Sequence, residues 1–441
     1  MAHKLIPCAL RNQAPYPPKF AMSKVVCIID AYSSGAFLAQ HFSERGYELI
    51  HIQSSKYLPS FLLESFPIGI FCKTWLNDCL FEELVSQLRS QQPQAVIAGA
   101  ETGVILAELL ANRLGLATNL PELGAARRDK FEMIAAIRRV GLRGTRHLRT
   151  DSLKEAIEWI KEFPVVLKPL NSAGSDGVKI CYDLDLVARS FQSLLGRANQ
   201  LGYYNSQVLL EEYLGGIEYM MNAVSCRGEH FITECALSNR IVLDDGAIIY
   251  DSLDMIDSER SDYRELQSYF CKVLDALGIQ NGPSHGELKI DNRGPVLIEV
   301  GARLPGASVP LLSEQCMDYG PITATADAFL NPSQFVQRVR RSKGRHHFFK
   351  IVFFISKVSG TVRRTIDTSW IKNLKSYYDI VLDERPGVQI KPTCDLFTTP
   401  GYVKLIHENE EVLLRDHELI RMAEYEMFSK AIEADNHGAL L

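Results

Sequence analysis

GELKIDNRGPVLIEVGARLPG, running from Gly286 to Gly306, decides the reading of this chain. Two apolar-polar runs, HGELKI and VLIEV, flank the turn-rich DNRGP, which is the pattern of a hairpin. If Ile290 faces Val296, the five residues Asp291–Pro295 form the loop. Facing residues of an antiparallel pair keep a constant index sum, so Glu287 then stands opposite Glu299. Their Cβ atoms would lie roughly 4.5–5.5 Å apart, and like charges so placed destabilise a hairpin unless something compensates. A shared proton could do it by raising one pKa. A divalent cation could do it better, because Mg²⁺ is bound through hard carboxylate oxygens. A solvated polar face would also carry two acids, so the pair is not specific by itself. Gly301 and Arg303 follow Glu299 at two-residue steps, and His285 precedes Glu287 by two. All would share its face.

The rest of the chain sets limits on function. With 441 residues, it exceeds what one hydrophobic core usually serves, so two or three domains are expected. Net charge is −5 and no basic tract occurs, which gives no support to a nucleic-acid or membrane-surface partner. Ten cysteines are scattered without CxxC spacing, as expected of reduced thiols in a cytoplasmic protein. No run is long and apolar enough to span a bilayer. Residues 1–22 read as a loose leader: prolines at 15, 17 and 18 oppose regular structure, and no signal-peptide pattern is present. The first βα turn lacks GxGxxG and the chain lacks GxxxxGK[ST], so neither a dinucleotide fingerprint nor a P-loop is expected.

Residues 23–120 alternate strand and helix: KVVCIID, a Ser33-Ser34-Gly35 turn, a helix, YELIHI, and later the strand Ala95–Ala98 with a Gly99–Gly103 turn. This is α/β grammar. Glu101, in that second turn, starts a helix, where the dipole favours an acid. Residues 121–330 form an α+β region around antiparallel strands, with a small subdomain at about 145–210. Residues 331–441 form a third, β-rich region.

Two lysines sit where anions would be held. Lys168 ends the apolar strand PVVLK just before PLNSAGSDGV, a loop whose free N–H groups suit a polyphosphate. Lys130 stands at a helix start, where a cation is not favoured by the dipole. LLEEYLGG joins two apolar strands and could expose backbone groups to a base, with Glu218 a few residues on. Each of these features also has a plain reading as a turn or an exposed side chain.

Taken in chain order, GAETGV, RRDK, VVLKPLNSAGSDGV, LLEEYLGGIEY and HGELKIDNRGPVLIEVGARLPG resemble the ATP-grasp superfamily of carboxylate–amine ligases. The EVGARLPGA string and the C-terminal segment are similar to the bacterial L-amino-acid ligases, which form dipeptides. The resemblance implies an ATP-grasp fold behind an α/β pre-grasp domain. It implies ATP held by Lys130 and Lys168, by a lid of Ser172, Gly174, Ser175 and Gly177, by a hinge at Glu211 and Leu214, and by Glu218 at the ribose. It also implies Mg²⁺, expected as two ions with Mn²⁺ able to substitute, on Glu287 and Glu299, with Arg303 as the catalytic cation. His285 and Glu101 are candidates for the amino-acid substrates. A homodimer is a further expectation. Where the family usually has ExNxR, this chain has Glu299-Val300-Gly301-Ala302-Arg303, so the ligand that Asn usually adds is missing and the second metal is expected to rely on Glu299, phosphate oxygens and water. Biotin-carboxylase-like and purine-pathway-like ligases share the layout, and a nucleotide-binding regulator without chemistry is the reading of another class.

Overall fold

The structure, a computed structural model, describes residues 24–383 and 385–434. The leader expected at 1–22 lies outside the described residues. Two compact units result, one ending at Thr118 and the other beginning at Asn119.

In the first unit, β-branched runs form a four-stranded parallel sheet in the order Lys73–Leu76, Glu48–Gln53, Val25–Ile29, Ala95–Ala98. Buried on both faces, these central strands read as continuous apolar runs rather than alternating ones. Cys27, Ile29, Ile50, Val96 and Leu110 share one cluster with Leu84 and Leu88. The helix Val104–Leu114 ends on Gly115 at φ 72°, a left-handed conformation open to glycine at little cost. The strand Lys73–Leu76 was not expected from the sequence: it is short, sits at the sheet edge and starts exposed.

The second unit is built on an eight-stranded antiparallel sheet. Its order is Gly294–Gly301, Asn281–Asp291, Ile217–Cys226, Glu229–Val242, Ile248–Met255, Phe348–Phe353, Gly401–His407, Tyr377–Leu382. A separate four-stranded sheet, in the order His147–Thr150, Val208–Glu212, Val165–Lys168, Lys179–Cys181, makes a small subdomain with its own core of Val165, Leu167, Phe191 and Leu210. Residues 331–441 give three strands to the edge of the large sheet. The helix Glu410–Ala431 covers them, burying Leu413, Ile420 and Phe428 against Val352, Val403 and Leu405. Each such buried side chain contributes about 1.5–3 kcal/mol.

The hairpin departs from the expected register in an instructive way. Ile290 faces Pro295, not Val296, and Asp291 pairs with Gly294, so the connection is the tight Asn292-Arg293 rather than a five-residue loop. A bulge between Glu287 and Leu288 absorbs the one-residue difference, because Leu288 pairs with Leu297 and Ile298 is the extra residue. The shift therefore cancels, and Glu287 faces Glu299. The strand alternates as its sequence requires. Gly286 and Leu288 are buried on one face, and His285, Glu287 and Lys289 are partly exposed on the other. A Cβ on Gly286 would come within 2.3 Å of the Phe270 ring, so its glycine lets the helix Ser261–Ala276 lie close against the sheet.

The helix that Lys130 starts spans Lys130–Arg139. Asp129 caps it by accepting from the Phe131 and Glu132 N–H groups, and Gly141 at φ 79° stops the chain beyond it.

Candidate active site

A cleft of about 790 Å³, part of it open to solvent, lies within the second unit between the small sheet and the hairpin end of the large one. Its polar lining brings together Lys130, Lys168, Ser172, Gly174, Ser175, Glu211, Leu214, Glu218, Glu287 and Glu299. These come from segments up to 169 residues apart in sequence, since Lys130 Nζ lies 2.7 Å from Glu299 Oε2. Strand ends and loops deliver them, as expected where a rigid scaffold presents function.

Lys168 closes the strand Val165–Lys168 and is buried, with its Nζ 2.6 Å from Glu211 Oε2. Burial works against its charge. Glu211 outweighs burial, with Glu299 and Glu287 behind it, and the Lys168 pKa is raised. Glu211 thus enters the cleft through its carboxylate, while its backbone is paired with His147 and Val166 on either side. Of the connector beyond it, Tyr213 and Leu214 line the cleft. There the Leu214 carbonyl accepts from Lys289 Nζ at 3.0 Å.

The loop after Lys168 is folded back by its own polar groups. Lys130 Nζ donates to the Ser172 carbonyl at 2.7 Å, and Ser172 Oγ donates to Asp176 at 2.5 Å. Gly174, Ser175 and Gly177 have φ of 68°, 62° and 68°, which turns the chain over the cleft.

On the hairpin side, Glu287 and Glu299 face each other among cations. Burial pushes the Glu287 carboxyl up, but the His285 imidazole beside it and the charges of Arg240 and Lys130 outweigh burial and hold Glu287 at about 2. Glu287 is therefore ionised, as a metal ligand must be. Burial raises Glu218 instead, against the pull of Arg240 at 2.8 Å, and the Glu287 charge adds to the rise. Among the described residues no three His, Cys, Asp or Glu side chains gather into a metal-binding group. Two facing carboxylates without a closed protein cage suit Mg²⁺, which keeps water and substrate phosphates in its shell.

Two cations of the cleft were missed from the sequence. Arg240, from the strand Glu229–Val242, reaches Glu218, stacks 3.4 Å over the Tyr250 ring and donates to Ser175 Oγ at 3.2 Å. Nothing in its local sequence marks it, since long-range pairing alone brings it in. Lys289 was legible: it stands two residues past Glu287 and so shares its face.

Three other candidates are not among these lining residues. Arg303 follows the strand end, where its Nη1 donates to the Leu304 carbonyl at 3.0 Å. His285 is held by Asn222, with Nδ1 2.7 Å from Oδ1. Glu101 belongs to the first unit, in the turn Glu101–Gly103. All nine described cysteines are free thiols. No helix among the described residues is long and apolar enough to cross a membrane.

A cleft that gathers lysines, a glycine-bearing loop and two facing carboxylates between two sheets suits a polyphosphate and a divalent cation. Comparison with known proteins agrees. An ATP-grasp domain family model matches residues 161–310. Dapdiamide A synthase of Enterobacter agglomerans is 33% identical over 413 residues, spanning 92% of this chain and 97% of that one. The chain belongs to the ATP-grasp superfamily of carboxylate–amine ligases. An L-amino acid ligase from Bacillus licheniformis shares the fold, with a TM-score of 0.73 over 94% of this chain and 99% of that one at 17% identity. Phosphoribosylglycinamide synthetase from Anaerococcus prevotii is a more distant match, with a TM-score of 0.64 over 91% and 98% at 15% identity.

Proposed function

We propose that this ATP-dependent ligase activates the carboxylate of one amino acid as an acyl phosphate and joins it to the amine of a second, giving a dipeptide, ADP and phosphate. The observation that carries the reading is the facing pair Glu287 and Glu299, with Lys130 on one acid and the Lys168 loop beside it. The fold shared with an L-amino acid ligase supports amino acids as the substrates.

In this reading Lys130 and Lys168 bind the nucleotide phosphates, and the loop Ser172–Gly177 closes over them. Glu218 accepts from the ribose, and the connector just past Glu211, at Tyr213 and Leu214, meets the base. Glu287 and Glu299 hold Mg²⁺, two ions with Mn²⁺ as a substitute, which neutralises charge on the phosphates when bound. A carboxylate oxygen of the first substrate attacks the γ-phosphorus, and the bond to the ADP oxygen breaks. The amine of the second substrate then attacks the acyl carbon, loses a proton, and phosphate departs. Arg303 turns from its contact at the strand end to hold the developing oxyanion, where such a donor contributes about 10²–10³ in rate. The closed loop keeps water from the acyl phosphate. His285 and Glu101 are proposed to meet the substrates, and the protein to act in the cytoplasm as a homodimer.

The test is ADP release from ATP and Mg²⁺ with pairs of amino acids, coupled to mass detection of the product. Stimulation by a pair, with a new mass equal to their sum less water, is expected. Stimulation only by a carboxylate that is not an amino acid would refute the dipeptide reading.

A further inference from the structure

The face of the large sheet that meets the cleft is organised in rows running across its strands. Glu218 and Lys289 form one row. Met220, Glu287 and Glu299 form the next. The row beyond consists of Glu234, Asn222, His285 and Gly301, each paired with the next by strand register. Successive rows are two residues apart along a strand, roughly 7 Å. The cleft lining includes Glu218, Lys289, Glu287 and Glu299 from the first two rows and no residue of the third.

The third row is wired together. Glu234 is 2% exposed and Asn222 1% exposed. Asn222 Nδ2 donates to Glu234 Oε1, and this bond turns Asn222 Oδ1 toward His285. An amide oxygen can only accept, so His285 Nδ1, 2.7 Å away, carries the proton and donates it. The imidazole is thereby fixed in orientation, with Nε2 facing outward. Nε2 lies 3.7 Å from Glu287 Oε1, too long for a hydrogen bond, so that contact leaves it available. The residue opposite His285 is Gly301, which offers no side chain to compete for the space above the strand. Gly301 is outside the positive-φ region, so its backbone does not demand glycine.

We infer that this row is the floor of the acyl-substrate subsite, with His285 Nε2 accepting a hydrogen bond from the ammonium group of the amino acid whose carboxylate is to be activated, and Asn222 and Glu234 acting as positioning residues. The inference rests on the ligase reading and adds a place to it. Glu218, Lys289 and the Leu214 carbonyl that Lys289 reaches lie on one side of the Glu287–Glu299 row, which puts the ribose and base of the nucleotide there. Phosphoryl transfer needs the attacking oxygen in line with and opposite the leaving oxygen. The attacking carboxylate must then approach from the other side of that row, where His285 stands.

The experiment compares wild type with His285→Ala, Glu234→Leu and Glu234→Gln. The probe is the L-amino acid that most stimulates ADP release in a screen of the standard set. The readouts are its KM, the MgADP dissociation constant by calorimetry, and the thermal midpoint as a check of folding. His285→Ala should raise that KM about tenfold, the loss of one hydrogen bond of ~1.4 kcal/mol, with MgADP affinity unchanged. Glu234→Leu should raise KM in the same way, whereas Glu234→Gln should keep the wild-type KM, because its amide oxygen still accepts from Asn222. His285 is partly exposed, so its variant carries the test even if Glu234→Leu fails to fold. An unchanged KM in His285→Ala, or a parallel loss of MgADP affinity, would overturn the row alone. MgADP binding by wild type with no stimulation by any amino acid would overturn the ligase reading and the subsite with it.

Discussion

Glu299 and Arg303 are the residues on which chemistry depends most in this account. Glu299→Gln keeps the shape of the side chain but removes the charge opposite Glu287. Arg303→Ala removes the proposed oxyanion donor, and turnover in either variant should fall by on the order of 10²–10³. Near-normal ADP release in either would contradict its role. Glu234 makes a separate prediction about stability. Burial raises its carboxyl from 4.5 to about 7, against the hydrogen bonds that oppose the rise. Between those values the folded state binds more protons than the unfolded one, so this group costs stability as pH rises, up to about 3 kcal/mol above pH 7. Glu234→Gln should therefore gain in denaturant stability relative to wild type from about pH 4.5 to 7. A pH-independent difference would show that Glu234 is not the titrating group. At this scale the sequence was most legible where residues are close in it. Glu287 and Glu299 could be paired by counting, and Lys289 could have been. Arg240, Asn222 and Glu234 could not, since their roles depend on which strands lie side by side.

The connector between the small and large sheets shows how backbone conformation is specified by single glycines. Gly216 has φ 85°, and a Cβ there would come within 2.0 Å of the Ile290 carbonyl. Gly215, its neighbour, has nothing within 4 Å of such an atom. Gly216→Ala should cost roughly 1–3 kcal/mol and disturb the hairpin, while Gly215→Ala should be close to neutral. Urea unfolding of both variants checks this, and equal effects would contradict the geometry. The hairpin itself teaches the limit of alternation as a guide. A bulge and a tighter turn each shift register by one residue, and only their sum is visible in which side chains face. Strand existence was readable from apolar runs. The edge strand Lys73–Leu76 was not, because a short, half-exposed strand has no apolar run to show.

On the scale of the whole molecule, the candidate nucleotide cleft lies entirely within the unit that begins at Asn119. Its four cations each sit within 4 Å of an acid: Lys130 by Glu299, Lys168 by Glu211, Arg240 and Lys289 by Glu218. A magnesium nucleotide can exchange with these pairs, phosphates taking the cations and metal taking the acids, at little net change of charge. MgADP at 100 times its dissociation constant should then stabilise the protein by about 2.7 kcal/mol. Thermal unfolding should show the shift, and chelating Mg²⁺ or Lys168→Met should reduce it. An equal shift without Mg²⁺ would argue against the Glu287–Glu299 metal site. The order of motifs along the chain made the fold legible well before any pairing was known. The way the sheet orders its rows, from Glu218 through Glu287 to His285, becomes visible only in three dimensions.

The central claim is that a carboxylate is activated as an acyl phosphate before an amine takes it. Its most direct test supplies the first amino acid with both carboxylate oxygens as ¹⁸O and analyses the phosphate released on product formation. One ¹⁸O should appear in each phosphate, carried over from the bridging oxygen of the acyl phosphate. Unlabelled phosphate accompanying labelled product would contradict the account.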